Sequence, residues 1–207
     1  MIESLFTWIG GIIINTIETT GYWGIALFMG LESANIPIPS EIIMPFSGYL
    51  VFQESLNFFW VILWGTVGNL LGSLLSYYLG YVGGRPFLLK YGKFLFISSH
   101  DVELSEKLFQ RYGSFAILFS RVLPVVRTFI SFPAGIAKMN IWKFSLYTFI
   151  GSFLWTWVLT YAGVLAGDNW NLLETYFKKF DWIILLFLIL LGVWWIWRHV
   201  KAIQKQP

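Results

Sequence analysis

The sequence predicts an all-α polytopic membrane protein in which two opposed re-entrant helical hairpins and about three full transmembrane helices form an inverted repeat. Three observations carry that expectation. Of 207 residues, 57% are hydrophobic and 20% aromatic, but only 12% are charged, against roughly 25% in soluble domains. Three apolar runs, residues 57–83, 141–167 and 182–197, the last of 16 residues, read as spans of a ~30 Å hydrocarbon core, which takes about 20 helical residues. Two further stretches, residues 22–51 and 113–137, are as long but are broken near the middle by prolines and ionisable groups.

Composition also excludes function classes. With no cysteine there is no disulfide framework, thiolate metal site or Cys nucleophile. The formal charge of +3 reads as membrane-flanking charge and not as a nucleic-acid surface. Residues 1–20 hold no Lys or Arg, so the basic region of a cleaved signal peptide is missing.

In chain order, residues 1–20 read as an interfacial helix, its apolar run 5–17 dotted with Gly10, Gly11 and Asn15. Residues 21–167 read as the core. Its first part, 21–84, is a hairpin and a spanning helix. The hairpin breaks at Glu32-Ser-Ala-Asn-Ile-Pro37-Ile-Pro39-Ser-Glu41. The arms of about ten residues, ~15 Å each, reach halfway through the bilayer. Residues 85–112 form a cytoplasmic segment, with Asp101, Glu103, Glu106, Lys107 and Arg111 on the polar face of a helix and Leu104 and Leu108 on the membrane. Residues 113–167 repeat hairpin and helix, the break falling at Arg121-Val-Leu-Pro124-Val-Val-Arg127. Residues 168–207 give a last transmembrane helix, flanked by Trp182 and by Trp194, Trp195 and Trp197 where aromatic belts sit, then a basic tail.

Half-length arms around a polar apex dip into the membrane and leave by the same face. If both stretches do so, Arg85, Lys90, Lys93, Lys107, Arg111, Lys138, Lys143, Arg198, Lys201 and Lys205 fall on one side and only Lys178 and Lys179 on the other. The positive-inside rule then puts the Arg hairpin and the C-terminus on the cytoplasmic side, and the Glu hairpin outside.

The halves echo each other. Gly21-Tyr-Trp-Gly-Ile-Ala-Leu-Phe leads to Glu32 and prolines, as Gly113-Ser-Phe-Ala-Ile-Leu-Phe leads to Arg121 and Pro124. Pro45-Phe-Ser-Gly48 recurs as Pro133-Ala-Gly135. The spanning helices carry small-residue stripes, Gly68, Gly72, Ser76, Gly80 and Gly84 in one, Thr148, Ser152, Thr156 and Thr160 in the other, which let helices approach closely in lipid. Many secondary transporters follow this plan and place substrate near the midplane between broken helices.

A charged side chain at mid-bilayer costs about 2.5–3.5 kcal/mol on insertion scales, so Glu32, Glu41, Arg121 and Arg127 call for an explanation. A guanidinium grips phosphate bidentately and stays ionised, making Arg121 and Arg127 candidate headgroup ligands. A carboxylate in a low-dielectric pocket exchanges protons near neutral pH, making Glu32 and Glu41 candidate proton carriers as well as substrate-binding residues. Pro39-Ser40-Glu41 opens the second arm as an N-cap and aims backbone N–H groups at the same apex, which adds Ser40 to the candidate substrate-binding residues. The competing explanation is a buried ionic lock between the hairpin tips, which as an ion pair that opens is also a gate. Asn69 reads as an interhelical hydrogen bond, His100 and His199 as solvated, and the Trp and Phe abundance as lipid-facing surface.

At these residues the sequence resembles the DedA family, also described as the VTT or SNARE-associated domain superfamily. The matching elements are Glu32-x4-Pro37-Ile-Pro39-Ser-Glu41 with Pro45-Phe-Ser-Gly48, the Gly68 to Gly84 run, and Phe119-Ser-Arg121-x2-Pro124-x2-Arg127 leading to Pro133-Ala-Gly135 and Met139. The resemblance covers roughly residues 20–165. It implies two opposed re-entrant hairpins in a multi-pass protein of the bacterial cell membrane, the family's acidic residues of the first hairpin mapping onto Glu32 and Glu41 and both arginines of the second onto Arg121 and Arg127. Some members carry an Asp further along the first hairpin; this chain has none before Asp101.

The function this implies is a flippase for a lipid phosphate, notably undecaprenyl phosphate recycled for cell envelope synthesis, driven by protons or membrane potential. The alternatives are a phosphatidylethanolamine flippase or scramblase, and a proton-coupled exchanger of small ions or drugs; a scaffold for membrane assembly is a fourth class. A lipid phosphatase would need a His nucleophile and acid or several Asp ligands, and neither His nor any of Asp101, Asp168 and Asp181 lies in a hairpin. No enzyme activity, catalytic residue, cofactor or metal is therefore expected. The expected partners are the lipid phosphate and membrane lipids, with no nucleic acid; assembly into a homo-oligomer stays open.

Overall fold

Apolar segments in lipid must satisfy their own backbone groups, and every regular element among the described residues is helical. The computed structural model describes residues 2–36, 38–91, 113, 115–121 and 124–169. The chain divides into two compact units, 1–165 and 166–207, and all that follows concerns the first. Of the segment 85–112, expected to be cytoplasmic, residues 92–112 lie outside the described residues, as does the last apolar run, 182–197.

Helix α1, Ile2–Thr20, runs unbroken through Gly10 and Gly11 and buries Ile13 and Ile17. Gly21, at φ 58°, turns the chain into α2, Tyr22–Ser33, a backbone conformation that glycine adopts without strain. Asn35, at φ 71°, ends that arm; Asn is one of the few other residues that tolerate it. Helix α3, Ser40–Phe52, begins directly after Pro39. Helix α4, Phe58–Tyr91, bends at Gly84, where φ is 54° and ψ −156°. Its segment Phe58–Gly84 is 27 residues long, roughly 40 Å.

The second broken stretch is divided more finely than the sequence predicts. Instead of one apex there are three short helices, α5 Phe115–Ser120, α6 Pro124–Phe129 and α7 Ser131–Ile136. The interruption after α6 has a local cause: Pro133 has no N–H to give the Phe129 carbonyl. Helix α8, Ile141–Ala166, is the second helix long and apolar enough to cross a membrane.

Small residues set how closely the helices approach. A Cβ at Gly72 would meet the Gly30 carbonyl, so α4 lies directly against α2. At Gly151 it would fall 2.7 Å from Arg121 Cβ, so α8 lies against the end of α5. The outgoing arms make the opposite pairing: Gly48 of α3 abuts the Thr160 carbonyl of α8, and Gly135 of α7 abuts the Tyr77 carbonyl of α4. The two long helices also touch through their polar stripes. Ser152 donates to Asn69 Oδ1 at 2.6 Å, the interhelical bond expected of Asn69, and Thr66 and Thr156 hydroxyls are 3.0 Å apart. Tyr77, Ile117, Ile130, Ala134 and Phe144 form an apolar cluster beside the second break.

Candidate functional site

Both breaks present their polar residues to one place. Glu32 closes α2 with 5% of its surface exposed. Ser40 opens α3, whose N-cap is Pro39 and so offers no side-chain acceptor. Glu32 takes that part from across the turn: its Oε1 accepts the Ser40 N–H at 3.2 Å, placing a carboxylate at the positive end of the helix. The cap expected of the Pro39-Ser40-Glu41 segment thus comes from outside it.

Arg127 sits in the last turn of α6 and is 3% exposed. Its Nη2 donates to Glu32 Oε1 at 2.5 Å, to Glu41 Oε1 at 3.2 Å and to Ser40 Oγ. All of these contacts end on one nitrogen. Arg127 Nε and Nη1 are buried without a hydrogen-bond partner, and so is Glu32 Oε2. The pairing falls short of the two-point fork that a guanidinium and a carboxylate can form. The ring of Trp155, on α8, lies over the same guanidinium at 4.8 Å, and its Nε1 donates to Ser40 Oγ at 3.4 Å.

Arg121, the second arginine expected to face a headgroup, leaves its Nε buried without a hydrogen-bond partner. It is 1% exposed and its fork serves the protein: Nη1 donates to the Arg127 carbonyl at 3.1 Å, Nη2 to Ser131 Oγ at 3.0 Å and to Thr148 Oγ1 at 3.1 Å. One guanidinium thereby ties α6, α7 and α8 together, its stem lying where Gly151 leaves room. Of the five residues singled out from sequence, Glu32, Ser40, Glu41 and Arg127 share one cluster, and Arg121 stands behind Arg127 as its support.

Three participants escaped the sequence reading. Trp155 looked like one more lipid-facing aromatic; Thr148 looked like packing, and Ser131 had no signal. With Arg127 taking both carboxylates, the buried fork of Arg121 has to find hydroxyl or carbonyl acceptors, an allocation that two Glu and two Arg in the sequence do not reveal. Among the described residues no cluster of His, Cys, Asp or Glu forms that could hold a metal. A cleft of about 280 Å³ lined by Ile17, Glu18, Gly21, Leu50, Gln53, Ser55 and Leu56 lies where α2 begins and α3 ends, and includes none of the cluster residues.

The VTT domain model matches residues 38–165, a span containing Ser40, Glu41, Arg121, Arg127 and Trp155. The chain belongs to the VTT-domain, or DedA, family of membrane proteins. Membrane protein YkoX of Bacillus subtilis is 42% identical over 158 residues, covering 76% of this chain and 70% of its own. Undecaprenyl phosphate transporter A of Bacillus subtilis is 34% identical over 210 residues, 100% of this chain and 98% of the relative. An alkaline phosphatase-like protein of Lactococcus lactis is 32% identical over 200 residues, 94% and 92% of the two chains. No solved structure matches.

Proposed function

We propose that this DedA-family membrane protein moves a phosphate-bearing lipid across the bacterial cell membrane, with undecaprenyl phosphate recycled for envelope synthesis as its cargo. The observation that carries the reading is the one-point lock on Arg127. Each edge of the guanidinium fork has one occupied donor, on Nη2, and one unpartnered donor, on Nε or Nη1. A phosphate that displaces a carboxylate from Nη2 completes an edge and gains the two-point contact that the lock lacks. The apolar tail stays in lipid while the headgroup passes between the breaks. Glu32, once freed and still buried, is neutralised by a proton, which couples the step to a proton gradient across the membrane.

The topology proposed with it is that of two re-entrant hairpins, residues 22–51 and 113–137, in an inverted repeat spanning 21–167. Helix 1–20 lies at the interface, 168–207 adds a further span, and the C-terminus is cytoplasmic. The packing supports the repeat: each incoming arm, α2 or α5, lies on the long helix of its own half, and each outgoing arm, α3 or α7, on that of the other half. The extent of the likeness to undecaprenyl phosphate transporter A supports the cargo.

The test is transbilayer movement in proteoliposomes of labelled undecaprenyl phosphate beside labelled phosphatidylethanolamine. Movement of the polyprenyl phosphate alone, with no phosphate released, is expected. Equal movement of both lipids makes the protein a phospholipid scramblase, and release of inorganic phosphate makes it a phosphatase.

A further inference from the structure

We infer that Trp155 is a positioning residue for the anion, converting Ser40 into a hydrogen-bond donor beside Arg127; this rests on the lipid-phosphate reading. A serine hydroxyl has two acceptor lone pairs and one proton. Arg127 Nη2 and Trp155 Nε1 both donate to Ser40 Oγ, which fills both lone pairs. The remaining Ser40 proton is directed at the Glu32 carboxylate, and an anion that displaces this carboxylate takes over the donor. The indole ring, 4.8 Å from the Arg127 guanidinium carbon, covers one face of the cation and leaves the in-plane edges, where the Nε and Nη1 hydrogens lie, as the approach for an acceptor. Ser40 and Arg127 then point donors at one oxyanion. A ligand with several acceptor oxygens, such as a phosphomonoester, satisfies both, whereas a lipid offering one carbonyl does not.

The experiment measures the rate of labelled undecaprenyl phosphate movement against its mole fraction in vesicles, for wild type, Trp155→Phe, Ser40→Ala and the double variant. Trp155→Phe keeps a ring over Arg127 and loses the N–H. Its half-saturating fraction is expected to rise about fivefold, the loss of a hydrogen bond near a charge, with the maximal rate within about twofold of wild type. In the Ser40→Ala background the same change is expected to have no further effect, because the hydroxyl it orients is gone. A packing role alone lowers the maximal rate, or multiplies the two single effects, and either outcome overturns the inference. An unchanged Trp155→Phe protein overturns it too. If wild type moves no polyprenyl phosphate, the transport reading fails and the inference fails with it, a result distinct from failure in the variants alone.

Discussion

Replacing Glu32 by Gln removes one charge from the lock while keeping a carbonyl oxygen where Oε1 accepts from Ser40 N–H and Arg127. Arg127 then keeps Glu41 as its anion, at 3.2 Å, with a side chain 37% exposed. Losing one partner of a buried pair costs about 3–5 kcal/mol, and the remaining carboxylate puts this change at the lower end, ~3 kcal/mol. Arg127→Gln strands the buried Glu32 with no cation on it, so the upper end, ~5 kcal/mol, applies. In the double variant neither stranded charge arises at that pair, and its cost is expected to fall short of the sum by ~2 kcal/mol or more. At ~2–4 °C per kcal/mol for a chain of this size, Glu32→Gln melts ~6–12 °C below wild type and Arg127→Gln ~10–20 °C below. The double variant recovers at least ~4 °C of the summed loss. Thermal unfolding in detergent, followed by the fraction that stays monodisperse, reads all three. Strict additivity, or single variants that melt with wild type, refutes the lock.

Arg121→Lys keeps the charge but not the fork that reaches three acceptors; losing two charge-assisted bonds costs about 3 kcal/mol or more, so both melting temperature and transport are expected to fall, and a wild-type melting curve contradicts the supporting role. Gly72→Ala drives a methyl into the Gly30 carbonyl and is expected to cost about 1–3 kcal/mol, whereas Gly11→Ala in α1, with nothing within 4 Å of the new carbon, is neutral or stabilising by up to about 1 kcal/mol; equal effects at the two sites refute the packing account. Because the chain has no cysteine, single replacements report topology cleanly: Thr20→Cys and Glu54→Cys, at the two ends of the first hairpin, are expected to react with an impermeant maleimide from the outside, and Lys138→Cys only from the cytoplasmic side. Labelling of Thr20→Cys and Glu54→Cys from opposite faces shows instead that the first stretch crosses the membrane.

The broken helices were legible because proline and charge in an apolar run conflict with a straight lipid-facing helix. Glu32, Ser40, Glu41 and Arg127 could be picked out for the same reason, each being costly in lipid without a partner. The small-residue stripes were equally readable: Gly68, Gly72 and Gly80 sit where a Cβ would run into the backbone of a neighbouring segment, and Thr148, Ser152, Thr156 and Thr160 are all buried. The split of work between the arginines was not legible, since Arg121 and Arg127 have the same chemistry and differ only in what the fold sets before them. Trp155 was hidden by its type, because a half-buried Trp in an apolar helix has no sequence mark that separates it from its lipid-facing neighbour Trp157, 44% exposed. The second interruption of the Arg stretch depends on one proline, Pro133, that the sequence reading used as a repeat and family signature and not as a helix breaker.

The central claim is that Arg127 trades a carboxylate for a lipid phosphate. The most direct measurement is movement of labelled undecaprenyl phosphate in proteoliposomes, wild type beside Arg127→Ala at matched reconstitution, with Glu32→Gln as the variant that weakens the lock without removing the ligand. The account predicts movement by wild type, none above empty vesicles for Arg127→Ala, and a lower half-saturating lipid fraction for Glu32→Gln. Retained movement by folded Arg127→Ala protein contradicts it.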